Sequence, residues 1–181
     1  RTKIEGPDDF NKLQGPTLIG DIAASQEAID SRDAIIMRAG KQSVVGEMFR
    51  TMRNNLLFMT AEREKNIILV TSTVPKEGKS FISCNLAHSL ATMNKKTLLI
   101  GADLRNPQLS NTLSIDKALE GFSSYLAGHK KSVEEMIESL DNNLYVLQSG
   151  PIPPNPNELL SQGKVETLLE QLRKEYDYIV I

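Results

Sequence analysis

Four short runs of apolar and β-branched residues follow one another along the chain after residue 66. They cover residues 67–71, 96–100, 143–147 and 176–181. Continuous runs of this length are typical of strands that are buried on both faces, as in parallel sheets. The stretches between them are long enough to hold helices. The pattern therefore predicts an α/β fold, with a mostly parallel sheet flanked by helices.

Apolar residues at helical spacing predict the helices. The first predicted helix covers residues 43–64, with one apolar stripe formed by Val45, Met48, Phe49, Met52, Leu56 and Met59. The later helices are predicted at residues 81–93, 122–127, 132–140 and 158–174. A capping box of Ser132 and Glu135 would open the third of these, and Gly163 would break the last. Residues 17–20 are a candidate for a short strand.

Polar side chains beside the stripe of the first helix leave two interpretations open. Glu47, Arg50 and Arg53 lie to one side of the apolar residues. They could form a solvated face, where a Glu47–Arg50 pair is worth only about 0.2–0.5 kcal/mol. They could also form a surface for a partner.

The composition is that of an ordinary globular domain. The 181 residues are 40% hydrophobic and 24% charged, with a formal net charge of −2. The absence of a basic excess argues against nucleic-acid binding. No apolar run approaches the roughly 18–20 residues that span a bilayer. Cys84 has no second cysteine to pair with, so we predict a small core residue in a reducing cytoplasmic setting. His88 and His129 lack companions that would suggest a metal site.

Residues 67–80 have the layout of a phosphate-binding loop: strand, loop, Gly-Lys-Ser and helix. Backbone N–H groups and the helix N-terminus form a cradle for phosphates. Gly78 allows close approach of the main chain, Lys79 can reach the β- and γ-phosphates, and the Ser80 hydroxyl can ligate Mg²⁺. A glycine usually stands where this chain has Thr73. The predicted ATP-binding residues are Thr73, Val74, Pro75, Lys76, Glu77, Gly78, Lys79, Ser80 and Phe81.

Asp103 follows the run at residues 96–100. Ligands of open parallel sheets bind beyond the carboxyl ends of the strands, so we expect this carboxylate near the phosphate-binding loop, where it can hold Mg²⁺. The alternative is a helix cap or a turn residue. The proline-rich residues 150–157 cannot form regular structure throughout, and they either line the base or ribose side of a nucleotide site or serve as a connector.

Five motifs follow one another along the chain: EMFRTMRNNLLF at residues 47–58, TSTVPKEGKS at 71–80, LLIGADLRNP at 98–107, GPIPPNPNELL at 150–160 and YDYIVI at 176–181. Together they resemble the motifs of the bacterial tyrosine kinase (BY-kinase) family, the cytoplasmic autokinase domain of capsular and exopolysaccharide co-polymerases. The resemblance runs from about Lys3 to Ile181.

The resemblance implies an ATP-dependent protein-tyrosine autokinase that regulates the polymerisation and export of a polysaccharide. It implies ATP and Mg²⁺ as cofactors. Lys79 and Ser80 belong to its Walker A motif and Asp103 to its Walker A′ motif. Lys79 and Asp103 would then be catalytic, with Ser80 and Asp103 at the metal.

The resemblance also implies partners and a location. Glu47, Arg50 and Arg53 match a helix that packs against the next subunit in ring-shaped homo-oligomers, which favours the partner surface. Tyrosines of neighbouring subunits would accept the phosphoryl group. Residues 1–43 would be an adapter after an absent membrane segment, and residues 44–181 the kinase domain. The site would face the cytoplasm at the bacterial inner membrane, beside a membrane-attached chain-length domain.

The motifs depart from the family pattern at three places. Gly101 stands where the Walker A′ motif has its first acid. The Walker B aspartate would be residue 182, so we expect a domain that is incomplete at its C-terminus. The tyrosine cluster that the family autophosphorylates is also outside these residues. One alternative is therefore a scaffold that binds nucleotide and regulates assembly without kinase activity. Another is a partitioning-type ATPase, although Val74 stands where that group has a signature lysine.

Overall fold

A five-stranded sheet forms the centre of the fold. The computed structural model describes residues 9–10, 15–23, 43–61, 66–130 and 132–181. The strands within these ranges are β1 (Asn66–Ile68), β2 (Thr97–Ile100), β3 (Ile137–Asp141), β4 (Leu144–Leu147) and β5 (Tyr178–Val180). Their order across the sheet is β1-β5-β2-β4-β3. All neighbouring pairs are parallel except β3 and β4, so the predicted fold class is confirmed.

Helices cover both faces of the sheet. They are α1 (Val44–Met59), α2 (Lys79–Ala91), α3 (Leu109–Leu113), α4 (Phe122–Leu126), α5 (Pro156–Ser161) and α6 (Lys164–Leu172). Side chains alternate along each strand, so Leu99 packs with α2 and α3 in one core while Leu98 packs with α4, α5 and α6 in the other. The expected break near Gly163 is present between α5 and α6.

Part of the predicted stripe of α1 packs onto the start of α2, but Met59, the last residue of the stripe, is 56% exposed. Ser43 caps α1 through a hydrogen bond from the Gly46 N–H. Val45 and Phe49 are fully buried, and the Phe49 ring meets the Phe81 ring edge to face at 5.6 Å between centroids. Cys84 is fully buried in the core, as expected.

The prediction of a helix at residues 132–140 is wrong. Glu134–Met136 form a single 3₁₀ turn, and the residues after it form β3. The Ser132 hydroxyl donates to Glu134 rather than capping a helix with Glu135. The reason lies in the next residues: Asn143, at φ 61°, forms a tight turn that returns the chain, and β3 then pairs antiparallel with β4.

Two further expectations need correction. Residues 17–20 form no strand; the segment lies against α1, where the Asn55 amide donates to the Ile19 carbonyl at 2.9 Å. β1 is not buried on both faces, because Ile67 is 38% exposed and Leu69, just beyond the strand, is 70% exposed. β1 is at the end of the strand order, and a strand in that position has less sheet around it than the central β2.

None of the described helices combines the length and the apolar character that crossing a bilayer requires.

Candidate nucleotide-binding site

The loop between β1 and α2 depends on two residues with positive φ. Lys76 has φ 68°, and Gly78, the N-cap of α2, has φ 92° and ψ 13°. Nothing lies within 4 Å of the point where a Cβ on Gly78 would be, so backbone conformation rather than space favours glycine there. The turn brings the first N–H groups of α2 to the carboxyl edge of the sheet, where they can bind an anion.

The Lys79 ammonium is held by a hydroxyl, not by a carboxylate. Its Nζ donates to the Ser72 Oγ at 2.9 Å, and the Ser72 hydroxyl donates to the Val74 carbonyl at 2.8 Å. Within the described part of the chain Lys79 forms no ion pair. Its positive charge is therefore available to an incoming phosphate.

Glu77 folds back over the loop. One carboxylate oxygen, Oε2, accepts hydrogen bonds from the Thr73 N–H at 3.0 Å and the Val74 N–H at 3.2 Å. The Thr73 hydroxyl lies 3.3 Å from both oxygens. These hydrogen bonds, that from Val74 first, hold the pKa of Glu77 below its ordinary value. The ionised carboxylate therefore ties together the two ends of the turn.

Asp103 follows β2 and takes part in a turn. Its Oδ1 accepts hydrogen bonds from the Arg105 N–H at 3.1 Å and the Asn106 N–H at 2.9 Å. The alternative role of Asp103 as a turn residue therefore applies to Oδ1 alone. The other oxygen, Oδ2, accepts no hydrogen bond within the described residues, and the carboxylate is exposed in the same cleft as Lys79.

A cleft of about 710 Å³ lies at the carboxyl ends of the strands, and Lys79 and Asp103 both line it. It brings together six of the predicted site residues: Pro75, Lys76, Gly78, Lys79, Ser80 and Asp103. Thr73, Val74 and Glu77 lie outside its lining, and Phe81 packs against Phe49.

Sequence reasoning missed five polar residues of this cleft: Thr71, Ser83, Asn106, Gln108 and Ser149. Ser83 lies one helical turn after Lys79, and its hydroxyl donates to the Lys79 carbonyl at 2.9 Å. Ser149 follows β4, which neighbours β2 in the sheet. The strand order would have placed it beside Gly101, but that order is not written in the sequence.

Two of the predicted interface residues pair with each other, and the third has a partner on α2. Arg50 donates to the Glu47 carboxylate on the exposed face of α1. Arg53 Nη1 donates to the Ser89 carbonyl at 2.9 Å, which ties α1 to α2. Burial, and to a lesser extent the charge of Arg50, lowers the pKa of Arg53. The basic residues of this helix therefore differ in their surroundings.

Residues 65–181 match the protein family described as "AAA domain". The chain is 39% identical over 150 residues to tyrosine-protein kinase YwqD of Bacillus subtilis, a match that covers 82% of this chain and 62% of that protein. The structure of the kinase domain of Escherichia coli tyrosine kinase ETK superposes with a TM-score of 0.88 at 28% identity. That match covers 98% of this chain and 72% of the other.

A more distant likeness concerns the fold. The septum site-determining protein MinD from Pyrococcus horikoshii, complexed with Mg-ADP, superposes with a TM-score of 0.56 at 27% identity over 65% of this chain and 48% of that one. The match spans about three fifths of the length of curated relatives such as YwqD, and 18% of the length of tyrosine-protein kinase etk of Escherichia coli. The family match covers most of the chain and agrees with the sheet and the loop described above. The chain therefore belongs to the AAA domain family, and the curated relatives that it matches are named tyrosine-protein kinases.

Proposed function

We propose that the protein binds Mg·ATP and transfers the γ-phosphoryl group to protein tyrosines, chiefly on neighbouring copies, as an autokinase that regulates capsular or exopolysaccharide polymerisation and export. The observation that supports this most is the meeting of Lys79, Ser80 and Asp103 in one cleft. The names of the curated relatives support the choice of tyrosine as acceptor.

Phosphoryl transfer requires positioning and charge neutralisation more than covalent help from the protein. The tyrosine oxygen forms a bond to the γ-phosphorus while the bond from that phosphorus to the bridging oxygen of ADP breaks. The phenolic proton passes to a base or to solvent. Lys79 would stabilise charge on the β- and γ-oxygens, because its ammonium has no carboxylate partner in the described residues. The loop N–H groups would hold the phosphates.

The donor set of the cleft fits Mg²⁺. Ser80 supplies a hydroxyl and Asp103 a carboxylate with Oδ2 available, and a hard cation prefers oxygen ligands of this kind. When bound, the ion would neutralise negative charge on the β- and γ-phosphates. Ser80, at the start of α2, and Asp103, after β2, are the residues that would hold it.

We further propose that Glu47, Arg50 and Arg53 contribute to the interface of a ring-shaped homo-oligomer. Among the described residues, the Glu47–Arg50 pair is exposed, and so are its neighbours on α1. This face of α1 is therefore accessible to a second copy of the protein. Residues 44–181 would be the kinase domain, at the cytoplasmic face of the inner membrane. Residues 1–43 would lead to it from a membrane-attached chain-length domain.

A second candidate, a nucleotide-gated assembly scaffold without kinase activity, is favoured by one observation. Gly101 supplies no carboxylate, and Ser149 fills the space that a side chain at this position would enter. If the first Walker A′ acid is the required base, the cleft would bind Mg·ATP without transferring phosphate. The partitioning-type ATPase receives support only from the distant likeness in fold.

Incubating the full-length protein with Mg·ATP and mapping phosphotyrosine by mass spectrometry would separate the candidates. Lys79→Ala and Lys79→Met remove the ammonium, and Lys95→Met is the matched control, because Lys95 is exposed in the segment between α2 and β2. If the protein is a kinase, phosphotyrosine should form in the wild type, be lost in both Lys79 variants and be kept in the control. Tight ATP binding with no phosphotyrosine would establish the scaffold, and equal phosphotyrosine in the Lys79 variants would overturn the site.

A further inference from the structure

The Glu77 carboxylate supports the backbone of the phosphate-binding loop. It is not part of the cleft lining, and it accepts hydrogen bonds from the backbone of residues 73 and 74. Those residues directly follow Ser72, whose hydroxyl holds the Lys79 ammonium. The backbone segment that Glu77 fixes therefore also carries the hydroxyl that holds Lys79.

A continuous chain of hydrogen bonds connects Glu77 to Lys79 through Val74 and Ser72. The Val74 N–H donates to Glu77 at 3.2 Å, while the Val74 carbonyl accepts from the Ser72 hydroxyl at 2.8 Å. The Ser72 oxygen in turn accepts from Lys79 Nζ at 2.9 Å. A displacement of Val74 would thus move the hydroxyl on which the ammonium rests.

Thr73 has a defined part in this arrangement. It stands where the phosphate-loop motif usually has glycine, and its hydroxyl lies 3.3 Å from both oxygens of Glu77. A glycine could supply the N–H but not the hydroxyl. The departure from the motif therefore adds a contact to the carboxylate.

We propose that Glu77, together with Thr73, is a positioning residue for nucleotide binding: it orders the segment from Ser72 to Val74 and so places the Lys79 ammonium before the phosphates arrive. The inference rests on the proposed function of the cleft. Neither residue belongs to the lining of the cleft.

The physical basis is preorganisation. A loop that is disordered before binding must lose conformational entropy when the ligand binds, and this loss weakens affinity. Bound phosphates order the loop themselves, so the chemical step at saturating ATP is less affected. Loss of the carboxylate therefore raises Kd and KM for ATP and leaves kcat nearly unchanged.

The test uses the full-length protein with the variants Glu77→Ala, Glu77→Gln and Thr73→Val, and Glu166→Ala as the control for loss of an exposed carboxylate on α6. Binding of a fluorescent ATP analogue with Mg²⁺ gives Kd, phosphotyrosine formation gives KM and kcat, and thermal unfolding checks the fold. Glu77→Ala should raise Kd and KM about tenfold, as expected for lost charge-assisted hydrogen bonds. The value of kcat should stay within about twofold.

Two comparisons separate positioning from a merely structural effect. Glu77→Gln keeps one acceptor oxygen and should recover part of the affinity. Thr73→Val is isosteric and should raise Kd about threefold alone, yet have no further effect beside Glu77→Ala, because both remove the same contact. An unchanged Kd in Glu77→Ala, or a fall in kcat alone, would overturn the inference and leave the proposed function intact. A wild-type protein that does not bind ATP would overturn both.

Discussion

The Ser149 hydroxyl oxygen lies 2.7 Å from the point where a Cβ on Gly101 would be. The Ser149 N–H and a methyl group of Leu109 lie 3.1 Å from the same point. Gly101 is therefore enclosed by its neighbours, at the position where the Walker A′ motif that the sequence resembles has an acid. A side chain enters this position only if Ser149 moves.

Gly101→Asp should lower the free energy of unfolding by about 1–3 kcal/mol, because the added side chain overpacks the wall of the cleft. Urea denaturation followed by circular dichroism measures this change. Ser149→Gly removes the nearest atom, so the double variant should recover a large part of the loss. A Gly101→Asp protein as stable as the wild type would show that Ser149 rotates away without cost.

Gly121 restrains the segment that carries Ser149. A Cβ at this position would lie 2.3 Å from the Gln148 carbonyl oxygen and 2.6 Å from the Gly150 nitrogen. Both are backbone atoms, which a side-chain rotation cannot relieve. We therefore expect Gly121→Ala to cost about 3 kcal/mol or more, with a fall in melting temperature.

Gly163→Ala is the matched control for this substitution. Nothing lies within 4 Å of its Cβ position, and its φ of −56° suits any residue. The substitution should leave stability unchanged or raise it by up to about 1 kcal/mol, because the unfolded chain loses freedom. Similar melting temperatures for the two variants would mean that the contact at Gly121 relaxes in solution.

Much of the fold could be predicted because several kinds of signal agree. The runs that became β2, β4 and β5 are apolar enough to be buried on both faces, and the Gly78-Lys79-Ser80 sequence marks the start of α2. β3 could not be predicted in the same way. Its residues do not alternate cleanly, and their structure depends on a turn at Asn143 and on pairing with β4.

The residues of the candidate site also fall into those that the sequence predicts and those that it does not. Lys79, Ser80 and Asp103 were found because motif and strand position both point to them. Ser149 was missed because its nearness to Gly101 arises from the strand order, which only the folded chain fixes. Glu77 belongs to the predicted ligand-binding loop, but its contacts with the backbone of residues 73 and 74 are hydrogen bonds that spacing does not reveal.

Arg53 and Arg50 should differ in their effects on stability. Arg53 is partly buried and donates to the Ser89 carbonyl, whereas Arg50 forms an exposed pair with Glu47. Arg53→Ala should cost about 1 kcal/mol in urea denaturation because a tie between α1 and α2 is lost. Arg50→Ala should change stability by less than about 0.5 kcal/mol.

The same pair of variants tests the proposed interface. Sedimentation velocity of the full-length protein with Mg·ATP should show a smaller oligomer for both. A smaller oligomer in Arg53→Ala alone would instead indicate that α1 must be docked on α2, without a direct role for Arg50.

Stability should fall in alkaline solution because of Tyr176. Burial, with a smaller contribution from Glu175, raises the pKa of this phenol to about 12, from an ordinary value of 10.0. Above pH 10 the unfolded chain therefore loses its phenolic proton while the folded chain keeps it. By linkage, the stability that is fully present below pH 10 is lost as pH rises towards 12. Burial raises the pKa of Tyr178 in the same direction.

Tyr176→Phe removes the proton that distinguishes the two states. Urea denaturation at several pH values between 9 and 12 should give a free energy of unfolding that falls less steeply for the variant than for the wild type. The Lys96 ammonium lies 4.6 Å from the Tyr176 ring centroid, and phenylalanine preserves that ring. The change in slope therefore reports the hydroxyl alone. An equally steep fall in Tyr176→Phe would assign the alkaline loss of stability to another group.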